Sequence, residues 1–152
     1  MLGNLITDLI DMAFPDNDFV LINEGGFRTV WFPGVLQYQH FYNMFPFTNR
    51  LVSFEMTGHE LVETLRVLQS GRKSFYPTKK LRQHVQIFPN GTRQLTKVTF
   101  SDGSEIELGR NYRGITVDFL LLGGDDFADV LGKIYTPRNN VTLGTFRESL
   151  KP

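Results

Sequence analysis

The chain opens on a helical period. Leu5, Ile6, Leu9, Ile10 and Ala13 fall on one helical face from Leu2 onward, and Pro15 ends the segment because it has no amide to continue the ladder. Phe19–Ile22 is a continuous apolar run of β-favouring residues, the pattern of a strand buried on both faces, closed by Asn23. Trp31–Pro33 with Gly34 makes a connection. Residues 38–44 are short and aromatic-rich, a helical turn that stops before Pro46 because the residue ahead of a proline avoids the α region. Phe45-Pro46-Phe47-Thr48-Asn49 is a rigid loop carrying two aromatics, and residues 51–56 alternate as a strand. Thr57 and Glu60 have the capping-box spacing and open a helix over 59–69, with Leu61, Leu65 and Leu68 inward.

The second half is richer in β patterns. Residues 71–82 read as a basic loop, with Arg72, Lys73, Lys79, Lys80 and Arg82 around Phe75-Tyr76-Pro77. Strands over 85–88 and 95–100 flank the turn at Asn90-Gly91, and Ser101-Asp102-Gly103 leads into a strand over 104–108. Residues 112–122 form a long β-type run that ends in Gly123-Gly124-Asp125-Asp126-Phe127. A helix is expected from 127 to 131 and a short terminal one over 143–150. Helices interspersed with hairpins predict an α+β fold with mixed sheets, not a regular parallel βαβ series. No repeat or low-complexity linker divides the 152 residues, so a single domain able to bury a proper core is expected over 1–152.

Composition narrows the function classes. Sixteen basic residues balance sixteen acidic ones, so no global field draws the chain to nucleic acid or to an anionic membrane. Fourteen phenylalanines are enough to fill a core and still line a pocket. The absence of cysteine excludes disulfides and thiolate metal sites within the chain. Asn90-Gly-Thr92 and Asn140-Val-Thr142 are glycosylation sequons, usable in a secreted protein. No signal peptide or membrane span is legible, and the abrupt opening at Met1-Leu2-Gly3-Asn4 reads as that of an excised domain.

The candidate chemistry gathers at two strand ends. The first run stops at Asn23, Glu24, Gly25, Gly26, Phe27 and Arg28. Glycines there let the backbone approach a ligand closely, Asn23 supplies donors and acceptors, and Arg28 supplies a fork of donors for a carboxylate or phosphate. A tight turn with a surface arginine would have the same composition. The second run ends in Gly123, Gly124 and Asp125. Each end lies near an aromatic, Phe47 or Phe119. Two facing rings can hold a flat base by stacking, and a carboxylate can accept from both hydroxyls of a ribose. The same residues also suit plain structural roles, the rings as core and Asp125 as a helix cap. His59-Glu60 lacks a partner one helical turn on, so it reads as part of the cap and not as a metal site.

Five segments recur in a familiar order and cover nearly the whole chain: Leu2-Gly3-Asn4-Leu5-Ile6-Thr7-Asp8, Leu21-Ile22-Asn23-Glu24-Gly25-Gly26-Phe27-Arg28, Phe45-Pro46-Phe47-Thr48-Asn49, Met56-Thr57-Gly58-His59-Glu60-Leu61 and Asp118-Phe119-Leu120-Leu121-Leu122-Gly123-Gly124-Asp125. With them the chain resembles the C-terminal domain of the 5'-nucleotidase family, which includes UDP-sugar hydrolases and 2',3'-cyclic-nucleotide phosphodiesterases. The resemblance implies a layered α/β/β/α fold with mixed sheets and a nucleoside or nucleotide as partner. It implies that Phe47 and Phe119 sandwich the base, that Asp125 binds the ribose, and that Asn23 and Arg28 face the base and the phosphate side, with Gly26 in the same substrate-binding loop.

Catalysis in the family belongs to an N-terminal metallophosphoesterase domain that holds two divalent metals, zinc or manganese, and an Asn-His pair. This chain matches no part of it. Its histidines are His40, His59 and His84, without Asp-x-His or Asn-His-Asp/Glu, so no catalytic residue or metal ligand is assigned and the chain alone is expected to be inactive. The implied whole is a nucleotide-dephosphorylating hydrolase, extracellular, on the cell surface or periplasmic; a degenerate, non-catalytic binding or structural module is the alternative. Three departures from the family pattern stand out. Glu24 replaces a loop glycine. Lys79 and Lys80 stand where glycines lie against the base, so that either narrows the pocket or reaches a phosphate. An arginine that the family places just ahead of the Gly-Asn-Leu segment lies outside this sequence.

Overall fold

The computed structural model describes residues 2–70, 75–77, 80–124 and 138–145. Helix α1 (Leu2–Ala13) buries Ile6 and Ile10 and is followed by strand β1 (Phe19–Asn23), buried along its whole length. A single 3-10 turn (Glu24–Gly26) leads into an irregular stretch and then α2 (Tyr38–Met44). Strand β2 (Arg50–Thr57) runs directly into α3 (Gly58–Ser70). Strands β3 (Phe75–Pro77), β4 (Leu81–Ile87), β5 (Arg93–Phe100) and β6 (Asn111–Val117) follow, then a short α4 (Asp118–Leu121) and β7 (Arg138–Thr145).

Five strands form one mixed sheet in the order β3-β1-β6-β2-β7, while β4 and β5 pair separately as a hairpin. Only β1 and β6 run parallel; the other neighbours are antiparallel. Strand β1 lies inside the sheet and is buried on both faces, which is why its residues are apolar without alternation. Helix α1 packs on β1 and β3, and α3 packs on β2 and β5. The core gathers Ile6, Ile10, Phe19, Leu21, Phe54, Leu61, Leu65 and Ile115. Gly114 is opposite Phe19 in the register, and a Cβ there would come 2.5 Å from the Phe19 ring. Its bare backbone lets the Phe19 and Phe54 rings meet edge to face, 6.0 Å apart.

The capping box forms as the spacing predicts. The Thr57 amide donates to Glu60 at 2.6 Å and the Glu60 amide to Thr57 Oγ1 at 3.2 Å. The α+β, mixed-sheet class holds, but four local expectations do not. Within the basic loop, Phe75–Pro77 is a strand that closes the free edge of β1, and β4 already begins at Leu81. Residues 104–108 make only an isolated bridge from Glu105 to Thr99. That segment bends so that the carbonyls of Leu108 and Arg110 accept the amides of His59 and Gly58, which the start of α3 leaves without partners of its own. The run after Tyr112 stops being a strand at Val117, because the Asp118 carboxylate binds backbone amides and turns the chain into α4. Finally, 143–145 belong to β7, which covers the open edge of β2. The helix expected over 127–131 lies outside the described residues.

Candidate functional site

The C-terminal end of β1, the turn after it, the loop ahead of β2 and α4 converge on one cavity of about 180 Å3. Asn23, Gly25, Gly26, Arg28, Phe47, Asn49 and Phe119 line it. Its floor continues into the apolar side chains of Ile22, Phe45 and Val117. Asn23 is only 4% exposed, as the last residue of a fully buried strand. The backbone then folds back over it, so that a Cβ on Gly26 would sit 3.6 Å from Asn23 Oδ1.

The turn is fastened from the α2 side. The Arg28 amide donates to the Met44 carbonyl at 3.1 Å, and the Phe27 and Phe45 rings meet edge to face at 5.6 Å. Arg28 reaches across the site and places its guanidinium carbon 5.2 Å from the centre of the Phe47 ring. Such a contact at an exposed position contributes about 0.5–1 kcal/mol.

Phe47 and Phe119 are each 42% exposed, unlike the buried Phe19, Phe45 and Phe54. Phe119 is carried by α4 and not by a strand, and its ring lies on the backbone of Gly124. Asp118 sets this arrangement. Its Oδ1 accepts the Phe119 amide at 2.8 Å and the Arg50 amide at 3.1 Å, which ties the turn bearing Phe119 to the residue that follows the Phe47 loop. Sequence reading did not single out Asp118 or Asn49 as parts of the site, while the glycine pair that includes Gly25 was read there. Asn49 was findable: it stands two residues from Phe47 in the same short loop, stiffened by Pro46.

Of the residues singled out beforehand, Asn23, Gly26, Arg28, Phe47 and Phe119 come together here, while Asp125 and Lys79 lie outside the described residues. Lys80 is elsewhere. Its ammonium pairs with Asp11 at 3.0 Å and donates to the Asn17 carbonyl at 3.2 Å, beside a second cavity of about 490 Å3 that Asp16, Asp102 and Arg110 also line. A role for Lys80 in narrowing the first cavity is therefore corrected. Glu24 is exposed.

The residues present do not fit a two-metal centre. His40 Nδ1 accepts the Gln37 amide at 2.8 Å in the cap of α2, His84 lies 3.3 Å from Thr99 Oγ1, and His59 is at the exposed start of α3. Among the described residues no three His, Cys, Asp or Glu side chains are grouped to hold a metal ion. No helix among them is long and apolar enough to cross a membrane.

Comparison with known proteins identifies the family and the fold. Endonuclease YhcR of Bacillus subtilis is 31% identical over 111 residues, 73% of this chain and 9% of that protein. Cell wall protein Lmo0130 of Listeria monocytogenes is 29% identical over 147 residues, 84% of this chain and 18% of that protein. The chain thus spans less than a fifth of the curated relatives it matches. A 5'-nucleotidase precursor from Thermus thermophilus superimposes with a TM-score of 0.80 at 26% identity, covering 97% of this chain and 31% of its own. The profile described as "5'-nucleotidase, C-terminal domain" matches residues 1–133, from α1 to beyond α4. The order of the motifs, the fold and that match have one common source: the chain belongs to the 5'-nucleotidase C-terminal domain family.

Proposed function

We propose that residues 1–152 form the nucleotide-specificity domain of a 5'-nucleotidase-type hydrolase. It grips the base and ribose of a nucleotide while a companion metallophosphoesterase domain hydrolyses the phosphate ester. The observation that carries this reading is the pair of half-exposed rings, Phe47 and Phe119, on one cavity with Asn23, Gly26 and Arg28. Core phenylalanines are buried; rings that stack a ligand are left partly open. The cavity volume of about 180 Å3 is below the roughly 300–1,000 Å3 of sites that enclose a whole drug-sized ligand. It suits one flat ring system, with ribose and phosphate outside. In this reading Asn23 and Asn49 read the base edge, Asp125 takes the ribose, and Arg28 turns to the phosphate side. Relatives named as a cell wall protein and a 5'-nucleotidase precursor support an extracellular or cell-wall location.

Calorimetric titration with adenosine and AMP tests the reading. Phe47→Ala and Phe119→Ala should each weaken binding by about 1–3 kcal/mol, the worth of one ring–base stack. Each should change stability by far less than the roughly 3–5 kcal/mol of a buried Phe→Ala substitution. No adenosine or AMP binding by the unaltered chain would refute it. A second reading, a degenerate relative that only binds, is favoured by Glu24 in place of a loop glycine. It predicts adenosine binding without metal-dependent phosphate release from AMP by the natural polypeptide.

A further inference from the structure

The second cavity lies at the opposite end of the parallel β1–β6 pair from the first. Asp18 just ahead of β1 and Tyr112 near the start of β6 line it, whereas Asn23 and Val117, which end the same strands, line the first and its floor. Its volume of about 490 Å3 falls within the roughly 300–1,000 Å3 of sites that take in a whole small molecule. The walls are charged. Asp16 and Asp18 come from the loop between α1 and β1, Asp102 from the turn after β5, and Lys80 and Arg110 from just ahead of β4 and β6.

The groups are held on a frame that leaves bonding capacity over. Asp18 Oδ2 accepts the Arg113 amide at 2.8 Å, and Asp102 Oδ1 accepts the Ser104 amide and hydroxyl at 2.9 and 2.7 Å. One oxygen of each carboxylate is committed in this way, and a carboxylate accepts at both. Lys80 is matched by Asp11, 3.0 Å away and outside the lining. Arg110 stands over the Tyr112 ring, 5.2 Å from its centre, and its 3.8 Å separation from Glu107 is too long for a hydrogen bond. Asn17 lines the cavity and is only 7% exposed. Its Nδ2 donates to the Phe14 carbonyl at 2.9 Å, while its Oδ1 has no partner among the described residues. An unpaired buried acceptor is costly, and a donor brought by a ligand removes that penalty.

We propose that this cavity binds a basic amino acid, a small molecule with two ammonium groups and one carboxylate. The charge of the lining selects it. With Lys80 neutralised by Asp11, three lining carboxylates face one remaining cation, Arg110, so negative charge is in excess. Ammonium groups donate to that surplus and to Asn17 Oδ1, and the Arg110 fork takes the carboxylate. Pro15 and Phe100 in the lining suit the methylene stem between them. A metal ion fits less well, because no three His, Cys, Asp or Glu among the described residues are grouped to hold one. A phosphate would meet like charge. Nothing in this assignment depends on the nucleotide reading of the first cavity.

Titration of the 152-residue chain with L-lysine, followed through the backbone amide resonances of residues 16–18 and 102–110, tests this. Those resonances should shift saturably while Asn23 and Phe119 stay still. The double variant Asp16→Asn, Asp102→Asn should weaken L-lysine about tenfold, as the loss of one charge-assisted hydrogen bond does. Arg110→Met should weaken L-lysine by a similar factor and leave 1,5-diaminopentane, which lacks the carboxylate, unchanged. All three positions are exposed, so the variants keep the fold, and their adenosine affinity should equal that of the unaltered chain. No saturable shift with L-lysine overturns the proposal. So does an equal response to glucose, which would make this a polyol site, or to calcium chloride, which would make it a metal site. Loss of L-lysine and 1,5-diaminopentane alike on Arg110→Met removes the carboxylate contact and with it the amino-acid assignment.

Discussion

Gly124 gives the sharpest test of how the Phe119 ring is held. A Cβ at this position would come within 3.0 Å of three atoms of that ring, against 3.4–4 Å for ordinary contact. The ring must then retreat by roughly 1 Å or rotate away, because carbon–carbon attraction is lost and turns repulsive inside about 3.5 Å. The colliding atoms are the far end of a half-exposed side chain, so the ring can swing toward solvent without moving backbone. Gly124→Ala should therefore lower stability by less than about 1 kcal/mol, within the range of surface substitutions. It should weaken adenosine by about 1–3 kcal/mol, the full worth of a ring–base stack. That corresponds to roughly a 5- to 150-fold change in dissociation constant. Calorimetry and urea unfolding of the same sample give both numbers. Unchanged affinity would refute the reasoning. So would a stability loss as large as the affinity loss, which would make the ring a packing element and not a ligand wall.

Asp118→Ala removes the acceptor for the Arg50 and Phe119 amides and should destabilise the chain by about 1–3 kcal/mol while weakening adenosine; Asp118→Asn keeps an acceptor and should restore most of both, as read by unfolding and titration. Lys80→Met breaks the pair with Asp11, whose partner lysine is partly exposed, so stability should fall by at most about 1 kcal/mol with adenosine affinity unchanged. A loss of affinity there would return Lys80 to the nucleotide site. The Ser104 hydroxyl and amide both donate to Asp102 Oδ1 and hold its carboxyl below the ordinary 3.8. A depressed carboxyl stabilises the folded chain at neutral pH, and this contribution is lost as pH falls through the folded value. Ser104→Ala should move the Asp102 midpoint up toward the ordinary one in an NMR titration.

How far the sequence reached depended on how local each cause was. The burial of β1, the capping box of Thr57 and Glu60 and the end of α2 before Pro46 are written within a few neighbouring residues, and all three formed. Phe119 looked like part of a strand because Asp-Phe-Leu-Leu-Leu continues an apolar run. What ends the strand is the Asp118 carboxylate binding the Arg50 amide, a partner with no local signature. Strands β3 and β7 were missed for a related reason: each exists because it closes an open sheet edge, on β1 and β2 respectively. The five cavity residues were picked out at the strand ends, but only the motif order favoured a site there, since Phe, Asn, Gly and Arg near strand ends suit turns and cores equally well. Nothing in their spacing told that Lys80 would be drawn away by Asp11.

The single parallel pair in the sheet governs when this molecule can acquire its cavity. The Thr116 hydroxyl donates to the Leu21 carbonyl at 2.7 Å in the core, across a separation of 95 residues. Contacts of that sequence distance form late, because the entropy of closing the intervening loop is lost before the contact repays it. During synthesis, β1 emerges with neither sheet neighbour present; β3 follows and can pair with it, and the parallel neighbour β6 arrives last. Phe119 follows β6 by two residues, so the same event that completes the sheet brings the second ring to the site. Folding and site assembly are thus one step, and a ligand that bridges Asn23 and Phe119 slows the reverse step by holding β1 to β6.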